Sequence, residues 1–452
     1  MNMTLRDPTT PSKLFHRKLG VELPAVASAS GIYIRLKGGG EIIDASCGSA
    51  VSCIGHSHPR VVAALREQIG RLDFAYSGTY SVEPAEELAD LLVESGKGAF
   101  SRVIYVGSGS EAMEASIKLA RQYHVERGEP QRTHVIARRQ SYHGATFGAL
   151  SSGGHMMRRR IYEDMLPVSF SHVSPCYAYR GQGEDETVDA YTDRLAKELE
   201  DEITRVGEDK AIAFCAEPVV GAALGCVPAE AGYFKKIRSV CDRYGVLLIL
   251  DEVMCGMGRS GTLHAWEQEG IRPDIQATAK GLAAGYVPLG AVLVSPKVVN
   301  AVLEGSGILN HGQTFQAHPL ACRAGLEVQR VMQEDKLVEQ GKGLGELLES
   351  RLKDVFGEHP HVGDIRGRGL FWALEFVKNR HTKECFPLEE GIADRVGKAA
   401  FEHGMAIYPG VGTSDGETGD HVIIAPPFTA SDSEIEMIVE RLKLAVTDIL
   451  GG

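Results

Sequence analysis

Several features that would assign this chain of 452 residues to a specialised class are missing. Nine cysteines are scattered between Cys47 and Cys385 without a C-x-x-C pair, so neither a zinc ribbon nor a disulfide framework is predicted. No run of about 18 apolar residues occurs, and the first 20 residues contain no segment typical of a secretory signal. We therefore expect no membrane association, no metal site and a reducing, cytoplasmic compartment.

Basic charge is also scarce. The formal net charge is -12 and no block of lysines and arginines stands out, which argues against nucleic acid as a partner. Hydrophobic residues make up 43% of the chain and charged residues 24%, an ordinary composition for a globular protein. A chain of this length can bury a large core and suggests about two or three domains.

The middle of the chain alternates short apolar segments with segments of helical periodicity. The helical pattern is clearest at Glu111–His124 and Phe234–Tyr244. Alternation of this kind indicates an α/β fold, with a mostly parallel sheet between layers of helices. The predicted strands are Arg102–Val106, His134–Ala137, Ala211–Ala216, Val246–Leu250 and Ala291–Val294.

The two ends of the chain have a different pattern. Residues 30–45 predict a β-hairpin around a glycine-rich turn. The C-terminal third predicts a long helix at His318–Val355, then β segments near Gly369–Phe376 and His421–Ala425. In the last helix, Ser431 and Glu434 have the spacing of a capping box.

These patterns predict two domains. The large α/β domain is expected at residues 61–317. A smaller α+β domain is expected to combine the N-terminal segment, residues 1–60, with residues 318–452.

A glycine- and serine-rich turn joins the Arg102–Val106 strand to the next helix. Its sequence is Gly107-Ser108-Gly109-Ser110. Glycines allow a close backbone approach, and a helix N-terminus offers free N–H groups to an anion, so the turn predicts a phosphate site. The same residues satisfy the dinucleotide pattern G-x-G-x-x-A, and Arg138 with Arg139 could hold a 2′-phosphate. Two alternatives to a simple phosphate site therefore remain open at this point: the chain is an NADP-dependent dehydrogenase, or the turn binds no ligand.

Two adjacent carboxylates, Asp251 and Glu252, end the most apolar strand. The pair could hold Mg²⁺ in a nucleotide hydrolase, Asp251 could pair with a pyridinium nitrogen, or both could simply be solvated acids. A hydrolase of that kind also needs a G-x-x-x-x-G-K-[ST] loop. The lysines that follow glycine are Lys97, Lys342 and Lys398, and none precedes Ser or Thr, which disfavours the hydrolase.

A lysine and an aromatic residue complete the candidate site. Lys280 lies in an apolar stretch of small residues, where burial would lower its pKa and make it nucleophilic toward carbonyls. Tyr142, beside His143 and Gly144, could stack on a flat ring. Taken alone, each residue has an ordinary alternative interpretation. Lys280 could simply reach solvent at a strand end, and Tyr142 with His143 could be two loop residues without a functional role.

The four features, namely the phosphate turn, the aromatic residue, the carboxylate and the lysine, follow one another in this order along one predicted sheet. Each lies near a strand end, where such sheets bind ligands. Pyridoxal phosphate needs N–H groups for its phosphate, a surface for its ring, an anion for its ring nitrogen and an amine for its aldehyde. A dehydrogenase has no use for the pair Asp251 and Lys280. We therefore favour pyridoxal 5'-phosphate as the cofactor.

At this point the sequence resembles the class III pyridoxal phosphate-dependent aminotransferases of fold type I, over nearly the whole chain. This resemblance implies a large domain with a mostly parallel, seven-stranded sheet between helices and a smaller α+β domain. The motifs that carry it are GHSHP at 55–59, GSGSEAMEASIKLAR at 107–121, SYHGAT at 141–146, Glu217-Pro218, LILDEVMCGMGRSG at 248–261, KGLAAGYVPLGA at 280–291, HGQTFQAHP at 311–319 and GDHVIIAPPF at 419–428.

The resemblance also implies roles for individual residues. Lys280 forms the Schiff base and moves the proton, while Asp251 keeps the ring nitrogen protonated. Tyr142 and Val253 cover the two ring faces. The phosphate is held by Ser108, Gly109 and Ser110.

Further residues follow from the same resemblance. Glu217 is similar to a residue just outside the cofactor, and His143 is given an auxiliary role at most. Thr314 is similar to a residue that reaches the phosphate of the neighbouring subunit, which implies a homodimer with its active site at the subunit interface. Val51, Ser52 and the segment Tyr76–Tyr80 are expected to line the substrate pocket.

The expected activity is transfer of an amino group from an amine or ω-amino acid to pyruvate or 2-oxoglutarate by a ping-pong mechanism. Relatives that act as an aminomutase, a decarboxylating transaminase or a racemase are the alternatives. Many amine-processing relatives carry an arginine shortly before the GDH motif, but Ala406 to Ile424 contains neither Arg nor Lys. Arg366, Arg368 or an arginine of another loop could bind the substrate carboxylate instead.

Overall fold

A seven-stranded sheet forms the centre of the computed structural model, which describes residues 13–451. Six of its strands run parallel, and Gly290–Val294 is antiparallel to both of its neighbours. In spatial order the strands are Arg102–Val106, Gly290–Val294, Ile275–Thr278, Leu247–Asp251, Ala211–Ala216, His134–Arg138 and Phe170–Val173.

The sheet is buried on both faces because successive side chains of its strands enter two different apolar clusters. Leu247 and Ile249 pack on the side of helix Gly109–Glu126, whereas Leu248 and Leu250 pack on the opposite side. This explains why the strand is a continuous apolar run rather than an alternating one. The helices around the sheet are Pro59–Arg71, Glu83–Ser95, Gly109–Glu126, Phe147–Ser152, Met156–Arg159, Ala178–Gly181, Val188–Val206, Tyr233–Tyr244, Pro296–Glu304 and Pro319–Glu334, with short helical turns at Cys47–Ala50, Arg160–Met165, Ala265–Glu269 and Lys280–Leu282.

The α/β class and the five predicted strands are confirmed, with ends shifted by one residue at most. The structure adds Phe170–Val173 and Ile275–Thr278, which were not predicted. The second of these contains a buried polar residue, Gln276, which accepts a hydrogen bond from the indole N–H of Trp266 at 2.8 Å. A polar residue inside so short a strand removes the apolar pattern on which the prediction depends.

Two smaller sheets are formed by the ends of the chain. One joins Val26–Ser30, Tyr33–Leu36 and Glu41–Asp44 to Met405–Ala406, and so links the N-terminal segment to the C-terminal third. The other contains Val362–Gly367, Trp372–Phe376, Asp420–Ile424 and Tyr408–Val411. The predicted hairpin and both C-terminal β segments are confirmed. A separate two-stranded ribbon pairs Val219–Val220 with Val227–Pro228.

The long helix predicted at His318–Val355 is wrong, because the structure has two helices there, Pro319–Glu334 and Leu337–Phe356. Lys336 between them has a φ of 52°, a left-handed conformation that ends one helix before the next begins. Apolar periodicity continues across the break, so the sequence pattern does not reveal it.

The remaining C-terminal helices are Ile392–Glu402 and Asp432–Leu450, with a short turn at Leu388–Glu390. The predicted capping box is confirmed, since Ser431 and Glu434 bond reciprocally. One apolar cluster contains Ile32 and Ile43 together with Leu344 and Val446, which supports a unit built from both ends of the chain. The domain limits themselves, residues 1–60, 61–317 and 318–452, stay a prediction, and residues 1–12 lie outside the described part.

Within residues 13–451, no helix has both the length and the apolarity needed to cross a membrane. The parallel strands end at a common edge of the central sheet, and the loops that leave this edge carry the predicted site residues. Ligands bind at this edge in open α/β sheets.

Candidate active site

A cavity of about 350 Å³ opens at the carboxyl edge of the central sheet. Nine of the ten predicted cofactor residues line it, namely Ser108, Gly109, Ser110, Tyr142, His143, Glu217, Asp251, Val253 and Lys280. The tenth, Thr314, does not. The ends of five different strands and the loops that follow them therefore converge on one space, as their order along the chain predicted.

The turn between strand Arg102–Val106 and helix Gly109–Glu126 forms one wall of the cavity. Ser108 is the N-cap, and its hydroxyl accepts the N–H of Glu111 at 3.2 Å. In return, the carboxylate of Glu111 accepts the N–H of Gly107 at 2.6 Å. The turn is thereby held in place, and the N-terminal end of the helix is directed into the cavity, where it could hold a phosphate.

Two glycines allow this wall to pack closely against its surroundings. A Cβ at Gly109 would lie 2.7 Å from a methyl carbon of Val253, and a Cβ at Gly290 would lie 2.5 Å from the carbonyl oxygen of Ser108. The hydroxyl of Ser110 also accepts the N–H of Ala145 at 3.0 Å, which ties the turn to the loop of Tyr142. The turn is thus in close contact with three other segments, those of Val253, Gly290 and Ala145.

The two carboxylates at the end of strand Leu247–Asp251 have different surroundings. Asp251 faces the cavity, where one oxygen lies 2.8 Å from Nδ1 of His143 and the other accepts the N–H of Val253 at 3.0 Å. Because an ionised carboxylate only accepts hydrogen bonds, Nδ1 of His143 must carry the proton. Nε2 of His143 has no partner among residues 13–451.

Glu252 points away from the cavity and stabilises the fold. Its carboxylate accepts the N–H groups of Ala265 at 2.7 Å and Trp266 at 2.8 Å, the first two residues of a short helical turn. Burial raises the pKa of Glu252 to about 8, although the two donated N–H groups lower it. The paired acids are therefore one cavity residue and one structural residue. The interpretation that pairs Asp251 with a pyridinium nitrogen agrees with the first position, and the role of Glu252 was not predicted.

Glu217 positions the aromatic residue of the site. One oxygen of its carboxylate accepts the N–H of Tyr142 at 3.1 Å, and the other accepts the N–H of Gly221 at 3.0 Å. Burial raises the pKa of Glu217 above its ordinary value. Because the backbone of Tyr142 is held in this way, its ring keeps a fixed place on the cavity wall.

Lys280 follows strand Ile275–Thr278 and has a φ of 37°, an uncommon conformation for a residue with a side chain. Burial lowers the pKa of Lys280 to about 8, while the carboxylates of Asp251 and Glu217 raise it and Arg158 lowers it further. Since backbone strain is concentrated at functional positions, the conformation is consistent with a reactive role. The lysine contributes to the cavity lining, as the hypothesis of a nucleophilic amine requires.

Comparison with known proteins agrees with this geometry. The family model of the class-III aminotransferases matches residues 17–446. The chain belongs to the class-III aminotransferases. Enzymes of this class depend on pyridoxal phosphate, which is therefore the cofactor.

Individual relatives cover nearly the whole chain. An uncharacterized aminotransferase of Schizosaccharomyces pombe is 47% identical, covering 97% of this chain and 96% of its own. A gamma aminobutyrate transaminase of Solanum lycopersicum is 33% identical, covering 94% and 80%. The crystal structure of a pyridoxal phosphate-bound amine transaminase from an uncultivated Pseudomonas species has a TM-score of 0.89 at 30% identity and covers 99% of each chain.

In this class-III aminotransferase, Thr314 lies on the surface and not in the cavity of its own chain. The adjacent Phe315 is 66% exposed, although it is a large apolar residue. Its ring meets that of Phe74 edge-on at 6.0 Å. A role for Thr314 within its own cavity is therefore not supported, whereas a role across a subunit interface is compatible with its position.

The predicted substrate residues are only partly brought to the cavity. Val51 lines it, but Ser52 is buried beside it and its hydroxyl donates to Asp44 at 3.3 Å. Tyr76 and Tyr80 are exposed at 54% and 64% and do not line the cavity. Their placement in the substrate pocket is therefore not seen within one chain.

The arginines proposed for NADP are engaged elsewhere. Arg138 is buried, donates to the carbonyl oxygen of Glu217 and lies 5.9 Å from the ring of Tyr233. Arg139 bonds to Ser174 and Glu198. Neither guanidinium is free to bind a 2′-phosphate, and membership of the aminotransferase family removes the reason to expect one.

The sequence did not point to one charged residue near the site, Arg158. Its guanidinium carbon lies 4.6 Å from the centre of the Tyr142 ring, and Nη2 lies 3.4 Å from the hydroxyl of Tyr408. The only signal in the sequence is a run of three arginines, residues 158–160, which by itself indicates nothing more than a charged surface.

Proposed function

We propose that this class-III aminotransferase moves an amino group from an amine or ω-amino acid to an oxo acid, such as pyruvate or 2-oxoglutarate, by a ping-pong mechanism. The observation that carries the proposal is that the amine of Lys280 and the carboxylate of Asp251 belong to the same cavity as a helix N-terminus. An amine, an anion and an anion-binding turn are the three groups that pyridoxal phosphate requires.

The chemistry of the cavity fits this cofactor. Asp251 forms no ion pair with any lysine or arginine of residues 13–451, and its only partner of variable charge is His143. Each carboxylate oxygen can accept a second hydrogen bond beyond the one it already has. Asp251 is therefore a buried anion with room for a cationic N–H group, such as that of a protonated pyridine.

We assign the remaining contacts from their positions on the cavity wall. Ser108, Gly109 and Ser110 would hold the phosphate at the helix N-terminus. Tyr142 and Val253 would cover the two faces of the ring. Lys280 would form the Schiff base with the aldehyde.

When bound, pyridoxal phosphate supplies an electron sink that stabilises negative charge on the substrate carbon next to nitrogen. The residues of this chain orient the cofactor and transfer the proton. Asp251 would stabilise the positive charge on the ring nitrogen, and His143 and the N–H of Val253 hold the carboxylate in its orientation. Glu217 acts indirectly, because it positions the backbone of Tyr142.

Lys280 is the group that moves the proton. An amine with a pKa near 8 is partly neutral close to neutral pH, so it can take a proton from the substrate and return it. A lysine with an ordinary pKa of about 10.4 would be almost fully protonated there and could not act as a base.

We also propose that the enzyme is a cytoplasmic homodimer with Thr314 reaching the phosphate site of the neighbouring subunit. The exposed position of Thr314 and the exposed apolar surface beside it support this assignment. All nine cysteines are unpaired, as suits a reducing compartment.

The proposed activity is tested with a panel of donors, in which each amine is offered with pyruvate or 2-oxoglutarate. We expect amino groups to appear on the oxo acid, and the absorption of the cofactor to change when a donor is added alone. Full turnover of a donor without any oxo acid would contradict the proposal and indicate a mutase or a racemase. Release of carbon dioxide in step with transfer would indicate the decarboxylating reaction.

A further inference from the structure

The cavity lining contains little positive charge for a substrate carboxylate. Its only lysine is Lys280, its only histidine is His143, and no arginine contributes. Every oxo acid acceptor nevertheless has a carboxylate, which binds best to a guanidinium that can donate two parallel hydrogen bonds. A cation just beyond the lining is therefore needed.

Most arginines near this end of the sheet are already fully engaged. Arg366, one of the two candidates from the sequence, is buried and bonds to the carbonyls of Leu224 and Gly225 and to the carboxylates of Asp364 and Glu375. Arg368, the other, pairs with Glu269. Both guanidinium groups are thus already paired with carboxylates, so neither is available to the carboxylate of a substrate.

Two further arginines are excluded for the same reason. Arg138 is buried and bonds to the carbonyl of Glu217. Arg259 is buried, donates to the carbonyls of Leu370 and Pro426, and stacks on a phenylalanine ring. Removing either from its partners would leave buried carbonyl groups unsatisfied, so neither is available to a ligand.

Arg158 differs from all of these. It is half-buried, lies over the ring of Tyr142, and forms no ion pair with any residue in the range 13–451. The next two arginines in the run are both paired, Arg159 with Glu163 and Arg160 with Glu417. The positive charge of Arg158 also reaches the amine of Lys280, whose pKa it lowers.

The surrounding structure holds Arg158 at this place. The hydroxyl of Tyr408 is its hydrogen-bond partner. The glycine-rich segment 412–419 packs beside this region, since a Cβ at Gly416 would lie 2.9 Å from the side chain of Met156, two residues before Arg158. This segment, which itself contains no Arg or Lys, thus supports the region from which Arg158 projects.

We propose that Arg158 binds the carboxylate of the oxo acid acceptor, and that of donors which carry one, with Tyr408 as its positioning residue. This inference rests on the proposed aminotransferase function. Because an amine donor without a carboxylate makes no use of Arg158, the two half-reactions depend on it to different degrees.

The variant Arg158→Ala separates the half-reactions within one protein. The first is the change in cofactor absorption on adding an amine without a carboxylate, such as 1-phenylethylamine. The second is the return of the absorption on adding pyruvate. We expect the second rate constant at low pyruvate to fall about 10- to 100-fold, the usual effect of losing a charge-assisted hydrogen-bond pair, and the first to change less than about threefold.

The variant Arg205→Ala is the control, because it removes an exposed arginine that is paired with Glu202 and does not line the cavity. Both of its half-reactions should resemble those of the wild type. In Tyr408→Phe, the apparent affinity for pyruvate should fall less than in Arg158→Ala. Arg158→Lys should retain part of the affinity that Arg158→Ala loses.

Binding of the unreactive carboxylate butyrate, followed by its effect on the cofactor absorption, gives a readout without turnover. We expect it to weaken about tenfold or more in Arg158→Ala. If Arg158→Ala binds butyrate and pyruvate as the wild type does, the inference is overturned while the aminotransferase proposal stands. If the wild type transfers no amino group, the proposed function itself fails. Equal cofactor content in all variants shows that they are folded.

Discussion

At the scale of single residues, Asp251 and Glu252 show how neighbours in sequence take opposite roles. Strand geometry places adjacent side chains on opposite faces, so only one of two consecutive acids can enter the cavity. Asp251 enters it, and Glu252 caps a buried turn on the other side. The carboxyl group of Asp251 is therefore available for chemistry, and that of Glu252 serves the fold by accepting hydrogen bonds.

The pKa of Lys280 predicts how the apoenzyme captures its cofactor. Only the neutral amine attacks an aldehyde, so the second-order rate constant for binding pyridoxal phosphate should rise with pH up to about 8 and level off above about 9. Stopped-flow absorption at a series of pH values measures it. A rate still rising tenfold per pH unit between pH 9 and 10 would indicate an ordinary lysine and contradict the proposed environment.

Replacing Asp251 with asparagine should remove activity and leave the fold intact. The amide keeps the shape but cannot stabilise a positive ring nitrogen, so kcat should fall by roughly 10²- to 10³-fold, as for other losses of a preorganised electrostatic partner. Steady-state rates and the thermal unfolding of the apoenzyme are the measurements. Activity within about threefold of the wild type would show that Asp251 does not contact the cofactor nitrogen.

Replacing Glu252 with alanine should have the opposite effect. Two buried N–H groups, those of Ala265 and Trp266, would lose their acceptor, which should lower the free energy of unfolding by about 2–4 kcal/mol. Denaturant unfolding of the apoenzyme measures the change, with the exposed Glu94→Ala as control. An effect as small as that of the control would contradict the structural role.

At the scale of the elements, the sequence predicted most of the sheet and the positions where ligands approach it. Lys280 and Asp251 were found because their chemistry and their order along the chain are properties of the sequence. The reversed direction of strand Gly290–Val294 and the break at Lys336 were not predicted, since strand direction and a single left-handed residue leave no mark on apolar periodicity. Arg158 was missed because only the packing of distant segments brings it to Tyr142.

The junction between strand Gly290–Val294 and the turn of Ser108 makes a prediction about cofactor affinity. The extra methyl group of Gly290→Ala would meet the carbonyl oxygen of Ser108 at 2.5 Å, so the strand and the turn must move apart. The Kd of pyridoxal phosphate should rise at least about tenfold, which corresponds to about 1.4 kcal/mol. Fluorescence titration of the apoenzyme measures it.

Gly343→Ala provides the matched control for that substitution. Gly343 lies inside helix Leu337–Phe356, and an added Cβ would contact nothing within 4 Å. This variant should leave the Kd unchanged and stabilise the protein by about 0.5–1 kcal/mol, because alanine favours the helix. If both variants bound the cofactor equally well, close packing at Ser108 would not matter for affinity.

At the scale of the whole molecule, large apolar side chains are exposed beside Thr314. Phe315, the next residue, is 66% exposed, and Phe74, whose ring it meets, is 38% exposed. Apolar surface of this kind marks an interaction site in soluble proteins. The role proposed for Thr314 requires a second copy of the chain at this surface, with Thr314 of each subunit at the phosphate site of the other.

A heterodimer tests that arrangement directly. Two differently tagged chains, Lys280→Ala and Thr314→Ala, are co-expressed, and the species with both tags is purified. If Thr314 acts across the interface, one of the two sites contains both native residues, and activity at limiting cofactor should be about half that of the wild type. If Thr314 acts in its own chain, or not at all, the heterodimer should be no more active than a Thr314→Ala dimer at equal numbers of intact lysines. A wild-type protein that sediments as a monomer would refute the shared site.

The most direct measurement is the identity of the lysine that bonds to the cofactor. The purified enzyme is reduced with borohydride, which fixes a Schiff base as a stable amine, and the labelled peptide is sequenced by mass spectrometry. The account predicts a yellow protein that loses its colour on reduction, with the label on Lys280 alone. A colourless protein after incubation with pyridoxal phosphate, or a label on any other lysine, would contradict it.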